Sequence, residues 1–168
     1  TPVQSVHTGR YSRSISFYAS GVRPTGFRDT CQDMLAIAYR KPAWAREKFL
    51  YLTGRQVADG HVAHQSWPVE GAAPQMSIHS DDHLWLPLLA FAIAAETGNT
   101  DFLHQPVSFL GLPGQSSDES APVWEHLLRA VTFTEQHLGT HTIPLTLASD
   151  WNDIIGKFAK KGRGESVF

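Results

Sequence analysis

Residues 84–95 constrain the fold more than any other stretch, because they are apolar on every side of the helix that they would form. A helix at the surface of a soluble protein carries polar residues on its outer side, so a helix that is apolar all round lies inside a larger structure. Gly98 and Asn99 follow this stretch and predict where the helix ends. The segment therefore predicts an enclosed helix in a larger helical assembly.

Three further helices are predicted by apolar spacing and by proline. The spacing of apolar residues predicts a helix from about residue 29 to residue 39. Pro42 and Pro122 both suit the first turn of a helix and open two more, which run to about residues 53 and 138. The residues that we assign to the apolar face of the last helix are Trp124, Leu127, Leu128, Val131 and Leu138.

Long loops separate the predicted helices. Residues 57–78 alternate weakly and contain Gly60, Pro68 and Gly71, which predicts a loop with short strand pieces. Residues 104–121 are rich in proline, glycine and serine and predict a long loop. Helices joined in this way predict helical hairpins that lie side by side in an all-α fold. Four or five helices do not close a domain by themselves, so we expect part of a larger α/α toroid, with inner helices that are apolar all round and long functional loops.

Composition excludes several classes of partner. The net charge is −2 at pH 7, so the chain has no electrostatic reason to bind nucleic acid or an anionic membrane. No stretch reaches the roughly 18 apolar residues that a membrane-spanning helix needs. The single cysteine, Cys31, excludes an internal disulfide and predicts a small buried apolar group. A reducing compartment is compatible with this, and we expect a cytoplasmic protein.

Residues 149–153 (SDWND) combine an indole with carboxyl groups and an amide. Sugar rings stack on aromatic faces, and a carboxyl group beside an apolar ring has a raised pKa and can hold a proton near neutral pH. Asp153 and Trp151 are therefore candidates for proton donation and sugar binding. The alternative interpretation makes Asp150 a turn residue and Trp151 a core residue.

Arg28 and Asp29 stand at a junction between a loop and a helix. A carboxylate that accepts two hydrogen bonds beside a guanidinium that donates several can grip vicinal hydroxyl groups. The alternative is that Asp29 caps the helix and Arg28 lies at the surface. His61 and His64 could line a polar cleft, although either could equally be a polar residue that is satisfied locally.

The densest group of metal-ligand residue types is at residues 79–83 (HSDDH). On one helix, neighbouring side chains diverge by about 100° per residue, so they cannot all face one ion. We therefore interpret this stretch as the start of a helix whose acidic residues lie at its positive end, with Asp82 or His83 supporting a neighbouring loop, and we expect no metal.

Six stretches along the chain together resemble the glycoside hydrolase family 94 phosphorylases, the group that contains cellobiose, chitobiose and cellodextrin phosphorylases. They occur in the order found in that family and run through nearly the whole chain. The stretches are residues 17–21 (FYASG), 26–33 (GFRDTCQD), 80–86 (SDDHLWL), 124–127 (WEHL), 145–153 (LTLASDWND) and 164–166 (GES).

This resemblance implies both an architecture and a set of site residues. The family fold is an (α/α)6 barrel preceded by a β-sandwich domain, so residues 1–168 would be about the first half of the barrel, without the sandwich and the rest. Asp153 corresponds to the general acid and Trp151 to its neighbour in the sugar site. Arg23, Arg28 and Asp29 correspond to the residues that hold the donor sugar. The phosphate ligands of the family would lie beyond residue 168.

The resemblance also implies a reaction, namely phosphorolysis of a β-glucosidic bond with inversion, which releases an α-sugar 1-phosphate. We expect a hexosyltransferase-type enzyme without a cofactor. It would use inorganic phosphate as co-substrate and a β-linked disaccharide or oligosaccharide as donor. In its full-length form it would be a homodimer, and the 168-residue chain alone would be inactive.

Two alternatives remain open at this point. One is an inverting glycoside hydrolase on a related α/α barrel, which needs a second carboxyl group about 6.5–9.5 Å from the first, with water between them. Phosphorolysis needs only the acid, because phosphate is already an anionic nucleophile. The other alternative is a non-catalytic carbohydrate-binding helical module.

Overall fold

The computed structural model describes residues 24–67, 71–112, 117–159 and 161–166. Within these ranges the chain is rich in helix, which confirms that part of the prediction. None of the helices there has the length and apolar content that crossing a bilayer requires. The α-helices are α1 (Phe27–Ala38), α2 (Pro42–Thr53), α3 (Trp85–Thr97) and α4 (Val123–Gln136).

Proline and glycine mark helix ends where the sequence predicted them. Pro42 is the first residue of α2, and Gly98 ends α3 with a left-handed φ of 63°. At the start of α1, Gly26 occupies the N-cap position and Asp29 lies in the first turn. Asp29 is therefore not the N-cap residue, although its charge still faces the positive end of the helix.

Helices α1, α2 and α3 pack against one another around the core. The ring of Phe49 from α2 meets the ring of Phe102 edge-on, with centroids 5.6 Å apart. Cys31 is fully buried in the same cluster, which confirms it as a small buried apolar group. Other side chains of this core that are essentially inaccessible to solvent are Met34, Leu86, Leu89 and Ile93.

Helix α3 is not enclosed on every side in the described part of the chain. It buries Leu86, Leu89 and Ile93 against the core, whereas Leu88 is 53% exposed and Phe91 is 75% exposed. The all-round apolar composition therefore did not predict which face is buried, because it gives no polar side to the helix.

The apolar face predicted for α4 is wrong. Trp124, Leu128, Val131 and Leu138 are all exposed, and only Leu127 packs against the core. A second stripe with the same helical spacing is buried instead, and it includes a histidine. Burial of that histidine is tolerated because its one ring N–H can donate to an oxygen, either Oε1 of Gln56, 2.8 Å from Nδ1, or the Val107 carbonyl, 3.1 Å from Nε2. The buried residues of α4 are Val123, His126, Ala130 and Phe133.

Two short antiparallel strand pairs connect the helices. Strand β1 (Thr25–Gly26) pairs with β2 (Gln65–Ser66), and β3 (Pro106–Ser108) pairs with β4 (Ser120–Pro122). The long loop predicted over residues 104–121 therefore carries a short strand near each of its ends. The β1–β2 pair is the one that matters for the site, because it joins the start of α1 to the segment that carries His64.

Candidate active site

Backbone hydrogen bonds bring three distant segments to one place. The amide of Phe27 donates to the carbonyl of His64 at 2.9 Å, next to the β1–β2 pair. On either side of His79, the amide of Ala148 donates to Ile78 and the amide of Ser80 donates to Ser149, both at 2.9 Å. The start of α1 is thus joined to the segment of His64, and the residues before α3 are joined to the start of the 149–153 loop; the side chain of Arg28 connects the two pairs.

Arg28 lies at the meeting point and is only 7% exposed. Its Nη1 atom donates to both carboxylate oxygens of Asp81 at 3.2 Å and to the backbone carbonyl of Asp150 at 3.1 Å. Its Nη2 atom donates to Oδ1 of Asp153 at 2.6 Å, across 125 residues of sequence. Burial lowers the pKa of Arg28, but the hydrogen bond to Asp153 and the charges of Asp81 and Asp82 raise it overall, so the guanidinium stays charged.

Asp153 is the exposed member of this group. Its side chain is 63% exposed although one oxygen is bonded to buried Arg28. Because Oδ1 accepts the hydrogen bond from Arg28, Oδ2 is the oxygen on which a proton for transfer would lie. Trp151 is 45% exposed, so it is not the core residue of the alternative interpretation.

Asp150 has the structural role that the alternative interpretation gave it. The amide of Asn152 donates to Oδ1 of Asp150 at 2.7 Å, which closes a tight turn of the Asx type. The Asp150 side chain is buried at 4% exposure. Asp150 is therefore a turn residue within the same motif in which Asp153 is exposed.

Of the other two predicted sugar-binding residues, Asp29 and Arg23, the structure describes only Asp29. Asp29 follows Arg28 in α1, and its carboxylate folds back over Gly26, where an added Cβ would lie 2.8 Å from Oδ2. A side chain at position 26 would thus compete with this carboxylate for space. Arg23 lies outside the described residues, as does the stretch of residues 17–21.

Two histidines and two acidic residues for which the sequence predicted no contact with a sugar complete the site, namely His64, His79, Asp81 and Asp82. The rings of His64 and His79 stack with centroids 3.7 Å apart and 17° between their planes. Nδ1 of His64 lies 2.7 Å from Oδ2 of Asp82, whose side chain is 1% exposed. Asp82 therefore supports the neighbouring loop, as one interpretation of residues 79–83 expected.

His79 faces the exposed carboxylate. Its buried Nδ1 lies 3.8 Å from Oδ1 of Asp153, and burial lowers the pKa of this imidazole. In contrast, His61 contacts residues outside the site. Its Nδ1 lies 2.6 Å from Oδ1 of Asp59, and its ring packs against the ring of Phe133. Of the two predicted cleft histidines, only His64 belongs to the site. The density of histidine and aspartate at residues 79–83 was the sequence signal that could have identified the other residues of the site in that stretch, His79, Asp81 and Asp82.

The ligand atoms of His64, His79 and Asp153 lie within 4.8 Å of one another, as do those of His79, Asp81 and Asp82. Stacked imidazoles are nearly parallel, so a single ion cannot lie in the plane of both rings, as tetrahedral coordination by two histidines requires. The Asp81 carboxylate is already occupied by Arg28 and by the indole of Trp85, at 3.0 Å from Nε1. This geometry favours an ion-paired polar site over a metal site.

Comparison with known proteins identifies the class. The chain belongs to the glycosyl hydrolase 94 superfamily, because the model of that superfamily's catalytic domain matches residues 1–168. The family resemblance seen in the motifs is thereby confirmed.

Three relatives show the range of this class. The cyclic beta-(1,2)-glucan synthase NdvB of Rhizobium meliloti (strain 1021) is 35% identical over 179 residues, which cover 99% of this chain and 6% of that protein. Solabiose phosphorylase of Paenibacillus borealis is 35% identical over 144 residues, covering 85% of this chain and 17% of that protein. The N,N'-diacetylchitobiose phosphorylase of Vibrio proteolyticus is 31% identical over 181 residues, covering 93% and 21%. The chain thus spans a small part of the length of each relative.

Proposed function

We propose that the protein to which this chain belongs uses inorganic phosphate to cleave a β-glucosidic bond with inversion, releasing an α-sugar 1-phosphate. Membership of the superfamily and the phosphorylase names of several relatives support this proposal. The four helices would form part of an (α/α)6 barrel. The chemistry needs no cofactor, because phosphate itself is the nucleophile. We also propose that the full-length protein is a homodimer in solution.

The contact between Arg28 and Asp153 is the observation that carries this proposal. It joins two motifs that lie 125 residues apart and leaves the Asp153 carboxyl group open to a substrate. In the proposed step a phosphate oxygen forms a bond to the anomeric carbon while the bond from that carbon to the glycosidic oxygen breaks. Asp153 gives its proton to the departing oxygen, which becomes a hydroxyl group.

The remaining residues would position the sugar rather than take part in bond breaking. Asp29 would accept hydrogen bonds from donor-sugar hydroxyl groups, and Trp151 would offer its exposed indole to a ring face. Arg28 is buried, so a sugar would meet its guanidinium on the side of Asp153. Arg23 is proposed from the motif alone. Such positioning contributes to the rate by holding reacting atoms close together.

The relatives suggest which substrates to test. Their printed names refer to a β-(1,2)-glucan, to solabiose and to N,N'-diacetylchitobiose. Because they differ in linkage and in sugar, the panel has to vary both. We therefore choose β-1,2-, β-1,3- and β-1,4-linked glucobioses, solabiose and N,N'-diacetylchitobiose.

The test is incubation of the full-length protein with each compound in the presence and absence of inorganic phosphate. Release of sugar 1-phosphate that depends on phosphate is the expected result. Asp153→Asn should lower this release by at least about 100-fold, the usual range for loss of a general acid. Asp101→Asn is the matched control, because Asp101 is an exposed aspartate in a separate turn. Activity of Asp153→Asn within tenfold of wild type would remove Asp153 from this role.

The alternatives give different results in the same assay. An inverting hydrolase would release free sugar whether or not phosphate is present. A binding module would retain sugar without turnover, and Asp153→Asn would leave that binding intact.

A further inference from the structure

Asp150 is a buried carboxylate next to the exposed one, and it contacts three parts of the site. Its Oδ1 accepts from the amide of Asn152, and its Oδ2 accepts from the hydroxyl of Ser166 at 2.7 Å. Its backbone carbonyl accepts from Nη1 of Arg28 at 3.1 Å. The same residue therefore joins the turn, a segment 16 residues further on, and the guanidinium that holds Asp153.

The rest of the loop is fixed mostly by contacts within itself. The hydroxyl of Ser149 donates to the carbonyl of Asn152 at 3.0 Å and accepts from the amide of Gly156 at 3.3 Å. The amide of Ile155 donates to the same carbonyl at 2.9 Å. These bonds keep the loop in shape, but they do not set its position relative to α1. Within the loop it is Asp150 whose side chain reaches Ser166 and whose carbonyl reaches Arg28.

The backbone that leads into the loop needs such support. Leu147 has a left-handed φ of 56°, a conformation that costs free energy in a β-branched or bulky residue and persists where the surroundings impose it. Its neighbour Ala148 and Ser149 are paired with the segment around His79. The loop is thus held at its start by backbone pairing and at Asp150 by side-chain bonds.

We propose that Asp150, together with Ser166, is the positioning residue that sets where the Asp153 carboxyl group stands. Asp150 does not touch substrate. It fixes the 150–152 turn against Arg28 and the 164–166 segment, and Asp153 leaves that turn directly. This inference rests on the proposed role of Asp153 as proton donor.

Proton transfer is sensitive to such positioning. The donor has to be within hydrogen-bond reach of the glycosidic oxygen, about 2.6–3.2 Å between heavy atoms, and displacement by about 1 Å can cost about 100-fold in rate. A turn that loses its buried anchor would shift Asp153 by such an amount while leaving Arg28 and Asp29 of α1 in place. The defect should therefore appear in the step that needs the proton.

Leaving groups of different basicity separate this defect from general damage. A sugar leaving group needs a proton as the bond to the anomeric carbon breaks. 4-Nitrophenolate leaves readily without one, so its departure depends little on the acid. A misplaced acid slows the first reaction and not the second, whereas a damaged sugar site slows both.

The experiment uses the full-length enzyme with phosphate and two substrates. One is the disaccharide of the panel that gives turnover, and the other is the 4-nitrophenyl β-glycoside of the same donor sugar. We expect Asp150→Ala to lower kcat for the disaccharide by about 100-fold with KM within about threefold of wild type. For the aryl glycoside kcat should stay within about threefold, since that step needs little acid assistance. Asp150→Asn keeps the acceptor for the Asn152 amide and should recover most of the loss.

Ser166→Ala provides a test that does not depend on how well Asp150→Ala folds. It removes one of the two side-chain bonds of Asp150, and we expect about a tenfold loss confined to the disaccharide. Ile154→Ala is the matched control in the same loop, because Ile154 is 60% exposed. Equal losses for both substrates in either variant, or disaccharide activity within threefold of wild type in both, would overturn the inference.

The same assay separates this inference from the proposed function. Asp153→Asn should show the largest difference between the two substrates. If it shows none, the proposed acid is wrong. If it does and the Asp150 and Ser166 variants do not, only the positioning role is wrong.

Discussion

Nε2 of His83 lies 2.7 Å from the hydroxyl oxygen of Thr134, and this contact joins the turn before α3 to helix α4. The His83 side chain is almost completely buried, at 1% exposure, and its ring meets Phe133 edge-on with centroids 5.0 Å apart. Burial lowers the pKa of His83 to about 4. The imidazole is therefore neutral in the folded protein at every pH at which the protein is expected to work.

This histidine predicts a loss of stability in mild acid. Its ordinary pKa is 6.5 and its folded pKa is about 4, so between these values the unfolded state binds a proton that the folded state does not. The free energy of unfolding therefore falls as the pH drops below about 6.5, by at most about 3 kcal/mol for this group. His79 and His126, whose pKa values burial also lowers, add to the same trend.

His83→Gln tests the assignment, because glutamine can bond Thr134 and does not titrate. Urea unfolding at pH 7 and pH 4.5 should show a smaller acid-induced loss in this variant than in wild type. Exposed His104 provides the control, and His104→Gln should follow wild type. Parallel pH dependence in wild type and His83→Gln would contradict the prediction.

Gly60 is required by both its conformation and its surroundings. Its φ is 109°, and an added Cβ would overlap the backbone carbonyl of Arg129. Gly60→Ala should therefore lower the free energy of unfolding by about 3 kcal/mol, combining backbone strain with overpacking. Gly98→Ala is the control, since Gly98 also has positive φ but open space around it, and it should cost about 1 kcal/mol. Similar melting temperatures for the two variants would show that the contact with α4 is not needed.

Phe49 predicts a large stability effect from the core. It is fully buried between the helices and meets Phe102 edge-on. Phe49→Ala should lower the free energy of unfolding by about 3–5 kcal/mol, because it removes buried apolar area and leaves a cavity. Phe91→Ala removes a ring that is 75% exposed and should change stability by less than about 0.5 kcal/mol. Denaturant titration measures the loss in free energy of unfolding of each variant. Similar losses in the two variants would show that Phe49 is not a core residue.

We expect substitution of Asp29 to affect activity more than stability. At the first turn of α1 its charge should contribute only about 0.3–1 kcal/mol to the helix. Asp29→Ala should therefore leave the melting temperature almost unchanged while phosphate-dependent turnover of the full-length enzyme falls. A loss of stability with unchanged turnover would instead assign Asp29 a purely structural role.

The helices were predictable because their signals are local. Pro42 opens α2 and Gly98 closes α3, and neither depends on distant residues. The buried face of α4 was not predictable, because two apolar stripes of the same period compete and the buried one contains His126. Only the partners of His126 on other segments decide between them. Short strand pieces were predicted within residues 57–78, where β2 lies, whereas β1, β3 and β4 were missed because they have two or three residues each and no alternating pattern.

The sequence placed some residues of the candidate site in one motif each, but it did not predict the contacts between them. The motifs identified Arg28 and Asp153 separately, but no local pattern shows that one donates to the other. His64 and His79 join the site through backbone pairing of segments far apart in sequence. The density of histidine and aspartate at residues 79–83 indicates a polar site, but residue type and spacing do not show that His64 and His79 stack, so that pairing could be found only from the structure.

The contacts of Arg28 make presentation of the proposed proton donor, Asp153, depend on complete folding. One guanidinium touches Asp81, Asp150 and Asp153, and two of these residues are more than a hundred positions away along the chain. The exposed carboxylate can be presented only after those stretches have come together, so on the proposed mechanism a partly folded molecule would be inactive. Arrival of turnover during refolding should consequently coincide with formation of the last long-range contacts rather than with the appearance of helix.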